Sequence, residues 1–192
     1  IPPPRLAYRG LGEVLVALVA GPLMTAQAWL VTTRRLDWEA LYIGIPFGAS
    51  QFGMAMAHGT VDHDADARVG KRTLVVRLGR RRAARAHVLA NLALFASVGA
   101  LILTNVVAWP FALVVLVAPL ALTSARVVNA AVGSSPAREL LARSYPPYKL
   151  LVAAGLSLTV LGLGSAFIAR GAAASWLSAV FVVVYAPVLA LV

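Results

Sequence analysis

Long apolar runs, interrupted by short clusters of charge, set the pattern of this chain. Six stretches of about twenty residues read as membrane spans, at about 13–32, 39–58, 84–104, 107–128, 148–169 and 174–192. They lack the polar–apolar alternation of a membrane barrel strand, so helices are expected. The expected fold class is therefore all-α: a multi-span transmembrane bundle forming one integral-membrane domain over 1–192. The second span carries Pro46 and Gly44-x-x-x-Gly48, and the fourth carries Pro119. Both are compatible with membrane helices, where neighbouring helices re-satisfy freed backbone groups. Between the fourth and fifth spans, Ser135-Pro136 through Arg143 precedes Pro146-Pro147 and predicts a short interfacial helix with a serine cap.

Composition strengthens the membrane reading. The 192 residues are 60% hydrophobic and 12% charged, whereas a soluble domain is about 45–50% apolar and about a quarter charged. The absence of cysteine excludes disulfides, thiolate metal sites and cysteine nucleophiles. The chain starts at Ile1, and nothing there reads as a signal peptide.

Net charge is +10 and unevenly placed. Of the 17 Lys and Arg, Arg34, Arg35 and Arg170 alone fall on one side of the alternating loops. The other side takes Arg5, Arg9, Arg126, Arg138, Arg143, Lys149 and the dense group 68–85, which identifies it as cytoplasmic. Trp29, Trp38, Trp109 and Trp176 cluster at span ends on the poorly charged side, as an interfacial belt does. The run Arg77 to Arg85 is expected to meet anionic head groups. No interleaved aromatics accompany it, which argues against nucleic acid as a partner.

Three of the seven acidic residues lie within five positions, at Asp62, Asp64 and Asp66. They fall at the cytoplasmic mouth of the second span, where a carboxylate must be solvated, paired or bound to a cation. On a helix, Asp62 and Asp66 share a face and Asp64 points nearly the opposite way. Two such carboxylates can hold Mg²⁺, which takes one or two of them plus phosphate oxygens. Arg68, Lys71 and Arg72 follow at once, so a metal-bound diphosphate would be gripped from both sides. A solvated connector remains an alternative. An EF-hand does not fit, because Ala67 and Thr73 stand where Gly and Glu belong. A phospholipid head-group transferase would need an Asp-Gly-x-x-Ala-Arg run, which is not present.

The run Asp62-x-Asp64-x-Asp66-x-Arg68-x-Gly70-Lys71-Arg72-Thr73-Leu74-x-Val76-Arg77-Leu78-Gly79 closely resembles the second aspartate-rich motif of the UbiA superfamily of intramembrane prenyltransferases. Pro4-Arg5-Leu6-Ala7-Tyr8-Arg9-Gly10-Leu11-Gly12-Glu13, with Gly21-Pro22-Leu23, is similar to its 1,4-dihydroxy-2-naphthoate polyprenyltransferase (MenA) branch. The resemblance implies a helical bundle that moves a polyprenyl group from its diphosphate to an aromatic acceptor, as in menaquinone biosynthesis, with Mg²⁺ as cofactor. It implies catalytic roles for Asp62 and Asp66, metal binding by Asp62, Asp66 and Asp64, and diphosphate contacts for Arg68, Lys71 and Arg72. The implied partners are a polyprenyl diphosphate, an aromatic acceptor and the lipid bilayer.

Two departures qualify this expectation. The family's other motif, Asn-x-x-x-Asp-x-x-x-Asp, is nowhere in these residues. The chain is thus expected to be a C-terminal part of a larger bundle, inactive alone. That branch also carries Asn-Asn-x-Arg before the second motif, where this chain has His58-Gly59-Thr60-Val61, so another acceptor such as 4-hydroxybenzoate or a haem or chlorophyll precursor stays open. A transporter subunit is the alternative outside enzymes, although acids gathered at one mouth favour chemistry there over passage. His58 can equally contact the ligand or simply sit at the helix mouth, and Tyr145, Tyr148 and Lys149 can equally line the cavity mouth or anchor at the interface, whereas Gln51 and Met54 are expected to be packing residues.

Overall fold

The computed structural model describes residues 6–169, and among these every regular element is helical. A 3₁₀ turn, Leu6–Arg9, leads into α1 (Gly12–Leu18), a π-helical turn at Val19–Leu23 and α2 (Met24–Thr33). Then follow α3 (Trp38–Ile43), α4 (Ile45–Arg68), α5 (Leu74–Leu78) and α6 (Arg80–Leu103). A 3₁₀ stretch, Trp109–Val117, runs into α7 (Ala118–Ala131), followed by α8 (Ser135–Ser144) and α9 (Pro146–Ala169).

Prolines explain where the helices change pitch. Pro22 has no N–H and crowds the carbonyl four residues back, and the chain widens there into the π turn instead of breaking. Pro119 has the opposite result. The turns before it tighten to 3₁₀, and the Ala118 N–H bonds the Val115 carbonyl three residues back.

Among the described residues, three helical segments are long and apolar enough to cross a membrane: Gly12–Val31, Arg80–Leu103 and Trp109–Ala131. They match the first, third and fourth expected spans. The second expected span is divided between α3 and α4, and α4 is amphiphilic, with Gln51, His58, Thr60 and three Asp among its residues, so it does not meet that test. Its apolar half buries Met56 and Ala57 fully against protein. The fifth expected span coincides with α9. The sixth, together with Arg5, Trp176 and Arg170, lies outside the described residues.

α4 and α6 form the central antiparallel pair: Arg80 meets Asp64 at one end, and His87 meets Gly53 midway. One apolar cluster joins Val98 on α6 to Val114, Val117, Leu120, Leu150 and Ala153 of the following helices. Another joins Ala57, Ala84, Val128 and Ala131 around Leu141 of α8. Leu141 is fully buried, so α8 is a plug across the α4–α6–α7 end and more than an amphipathic connector. Its expected serine cap is absent. Ser134 occupies the cap position, but its hydroxyl donates to the Ala130 carbonyl at 3.2 Å.

The Gly44-x-x-x-Gly48 pair makes a backbone-to-backbone crossing with Gly21. A methyl group on Gly21 would stand 2.6 Å from the Gly44 carbonyl oxygen and 2.6 Å from Gly48 Cα. Small residues that let helix backbones approach closely are how membrane helices gain packing energy. This crossing fixes the π turn against the start of α4.

Deeper in the bundle, α4, α6 and α7 are tied by polar groups. His87 Nδ1 lies 2.8 Å from the Gly53 carbonyl, which can only accept, so Nδ1 carries the proton. Nε2 then accepts from Ser124 Oγ at 2.8 Å and from Asn91 Nδ2 at 3.2 Å. All three side chains are buried. In such surroundings an unpaired polar group is costly, so the set fixes the register of the three helices.

Candidate active site at the carboxylate mouth

The aspartate-rich segment is the last part of α4, and its helical phase decides what each acid meets. Asp64 turns toward α6 and α8. It accepts from Arg80 Nη2 at 2.6 Å, stands 3.6 Å from Arg138 Nη1, and accepts from His63 Nδ1 at 3.0 Å. The His63 hydrogen bond, and then Arg80, hold its carboxyl down at about 2. Asp66 accepts from Lys71 Nζ at 2.8 Å. That bond, followed by the charge of Asp66 itself, raises the Lys71 ammonium above its ordinary value. Asp62 has neither a hydrogen bond nor an ion pair among the described residues, and its carboxylate faces a cavity.

The three acids thus do not converge. Among the described residues, no group of three His, Asp or Glu side chains gathers closely enough to hold a metal ion. Asp62 and Asp66 share one face of α4, with Cα atoms about 6 Å apart along the axis. Their hard oxygen donors suit Mg²⁺, which needs only one or two carboxylates when phosphate oxygens and water complete its shell. Asp64 is committed elsewhere: it fastens α4 to α6 and α8.

The basic residues are likewise divided. Lys71 is bound to Asp66, Arg68 Nε donates to the Asp64 backbone carbonyl at 3.2 Å, and Arg72 is exposed with no partner recorded among the described residues. The loop carrying them is shaped by its own sequence. Gly70 takes φ +72°, a left-handed conformation that suits glycine, and Thr73 Oγ1 caps α5 by accepting from the Val76 N–H at 3.3 Å.

The loop is also held from a distance. Glu13 Oε1 accepts the Leu74 N–H at 3.0 Å, and Arg77 Nη1 donates to the Arg9 carbonyl at 2.9 Å. The Gly-Leu-Gly-Glu run and the tail of the aspartate-rich run, about sixty residues apart, therefore form one docked unit. Sequence reasoning singled out both runs and missed that they touch.

The cavity at Asp62 has a volume of about 360 Å³ and is lined by His58, Val61, Asp62, Ala142 and Tyr145. His58, one turn before Asp62, presents its ring to Tyr145 with centroids 4.6 Å apart and planes tilted by 48°. Tyr148 lies 6.0 Å beyond. Tyr145 ends α8 at φ 42°, ψ 57°, a left-handed conformation that costs a bulky residue about 1 kcal/mol or more. Its hydroxyl is buried without a partner among the described residues, and burial pushes its ionisation well above the ordinary phenol value, aided by the charge of Asp62. A second, apolar hollow of about 460 Å³ lies between α1, α4 and α6, lined by residues such as Ala17, Ile45, Phe52 and Leu89. Its wall offers no titratable group, unlike that of the smaller cavity.

An all-helical bundle with long apolar helices, and with carboxylates and cations gathered at one mouth, marks an integral membrane protein. The chain belongs to the UbiA prenyltransferase family, whose model matches residues 3–145. It is 36% identical over 135 residues to a 1,4-dihydroxy-2-naphthoate octaprenyltransferase of Mycobacterium tuberculosis, covering 70% of this chain and 44% of that protein. It is 32% identical over 89 residues to a UbiA prenyltransferase domain-containing protein 1 homolog of Drosophila melanogaster, covering 46% and 24%. A 2-carboxy-1,4-naphthoquinone phytyltransferase of Synechocystis is 27% identical over 128 residues, covering 67% and 42%. The chain spans less than half the length of these curated relatives. No solved structure matches it.

Proposed function

We propose that this chain is part of a membrane prenyltransferase that moves a polyprenyl group from its diphosphate to an aromatic acceptor of the 1,4-dihydroxy-2-naphthoate type, in menaquinone-type quinone biosynthesis. The observation that carries this reading is the unpaired Asp62 carboxylate on the same helical face as Asp66, beside Lys71 and facing a cavity. Membership of the family and the naphthoate relatives support the acceptor class.

In the proposed reaction Asp62 and Asp66 are the residues that would hold a divalent ion at the diphosphate end of the donor. Mg²⁺, when bound, supplies positive charge that stabilises the departing diphosphate. Lys71, with Arg68 and Arg72 from the same loop, binds the remaining diphosphate oxygens. For that contact Lys71 would exchange its bond to Asp66 for a phosphate oxygen, leaving the Asp66 carboxylate available as a metal ligand. Asp64 orients the face by tying α4 to Arg80 and Arg138. Apolar helix surfaces hold the prenyl chain, at about 0.8 kcal/mol per buried CH₂. The surplus of Lys and Arg around this end supports a mouth on the cytoplasmic side of a bacterial-type inner membrane.

The test uses the full-length protein in proteoliposomes, with a polyprenyl diphosphate, 1,4-dihydroxy-2-naphthoate and varied Mg²⁺. Asp62→Asn and Asp66→Asn should each lower kcat/KM at least a hundredfold, and Asp64→Asn should act mainly on thermal stability. Unchanged Mg²⁺-dependent transfer in Asp62→Asn removes the assignment.

A further inference from the structure

We infer that the cavity between α4 and the α8–α9 corner is the subsite for a hydroxylated aromatic ring, with Tyr145 as its hydrogen-bonding anchor and His58 as its stacking wall. The inference rests on the proposed function insofar as the ring is taken to be the prenyl acceptor.

Four observations converge. The volume, about 360 Å³, falls at the lower end of the roughly 300–1,000 Å³ of small-molecule sites, a space suited to one or two fused rings. The walls are chemically mixed in a particular way: Val61 and Ala142 are apolar, and the rings of His58 and Tyr145 offer aromatic surface. The Tyr145 hydroxyl is buried and unpartnered among the described residues, so an occupant that hydrogen-bonds to it is favoured over one that cannot. Tyr145 is also held in a left-handed backbone conformation, which brings its ring against His58 instead of continuing α8.

These features select among occupants. A hydrocarbon chain fits the walls but leaves the hydroxyl unsatisfied. An anion that met Asp62 with no cation between them would be repelled by its carboxylate. A ring bearing a hydroxyl satisfies Tyr145, stacks on His58 and lies beside Asp62, next to the proposed diphosphate site. If the ring also carries a carboxylate, that group must point away from Asp62, toward the open mouth. Position 58 and position 61 are one turn apart from Asp62 and adjacent to it, so they set which ring is accepted.

The experiment compares 2-naphthol with naphthalene for binding to the purified full-length protein in nanodiscs, followed by protein fluorescence. Wild type should bind 2-naphthol about tenfold more tightly than naphthalene, because only the naphthol reaches the Tyr145 hydroxyl. Tyr145→Phe should remove that preference while binding naphthalene as before. Ala142→Phe, which adds a ring to the cavity wall, should block both. In turnover assays Tyr145→Phe should raise the KM for the acceptor about tenfold and leave the KM for the prenyl diphosphate within twofold. Equal preference for 2-naphthol in wild type and Tyr145→Phe overturns the subsite, as does a rise in the donor KM in place of the acceptor KM. Wild-type protein that binds 2-naphthol preferentially yet transfers no prenyl group condemns the proposed reaction and leaves the subsite standing.

Discussion

Glu13 is the long-range tether of the aspartate-rich loop, and its removal should loosen that loop selectively. Its Oε1 accepts the Leu74 N–H at 3.0 Å, at the first residue of α5, where no intrahelical partner exists. A hydrogen bond to a charged acceptor contributes about 1.5–3 kcal/mol. The other oxygen, Oε2, is buried with no partner among the described residues, and its desolvation offsets part of the gain. The expected loss in Glu13→Ala is therefore near the lower end, about 1.5–2 kcal/mol. At 1.4 kcal/mol per decade, this is roughly a ten- to thirtyfold rise in local opening. Hydrogen exchange read by mass spectrometry on peptides covering 69–79 should show that acceleration, with peptides from 84–104 as the internal reference. Glu13→Gln keeps a neutral acceptor and should recover part of the protection. Unchanged exchange over 69–79 in Glu13→Ala refutes the tether. Equal acceleration in both regions also refutes it, because Glu13 would then support the whole fold and not this loop.

Two other substitutions test the packing. Gly21→Ala places a methyl group 2.6 Å from two backbone atoms of α4 and its preceding turn, so the helices must separate, at about 1–3 kcal/mol. Thermal unfolding in detergent should register this, whereas Gly99→Ala, with open space around it, should leave stability unchanged or raise it slightly. His87→Leu strips partners from buried Ser124 and Asn91 and should cost about 1–3 kcal/mol. A double-mutant cycle with Ser124→Ala should then give a coupling above about 0.5 kcal/mol, and strict additivity would show that the two side chains do not act together.

Much of the architecture is legible in the order of residues, because spans and helix phase are local properties. Apolar runs of membrane length locate the first, third, fourth and fifth expected spans, whereas the changes of pitch at Pro22 and Pro119 appear only in the structure. A spacing of four places Asp62 and Asp66 on one face and turns Asp64 away, and the structure has that separation. The expectation of three acids around one ion goes beyond what this phase supports, since Asp64 meets Arg80 and Arg138.

Helical periodicity says which residues share a face and is silent about what covers that face. The covering groups here come from far along the chain: Glu13 reaches Leu74, Ser124 reaches His87, and Tyr145 reaches His58. None of these pairs has a spacing that a repeat or a motif encodes. Each exists because apolar packing brings particular helices side by side, after which buried polar groups must find partners among whatever lies opposite. Membrane helices and an acid-rich mouth were thus determined by the sequence itself. Which acid stays unpaired, and the aromatic cavity it faces, were decided by the packing of α4, α6 and α8.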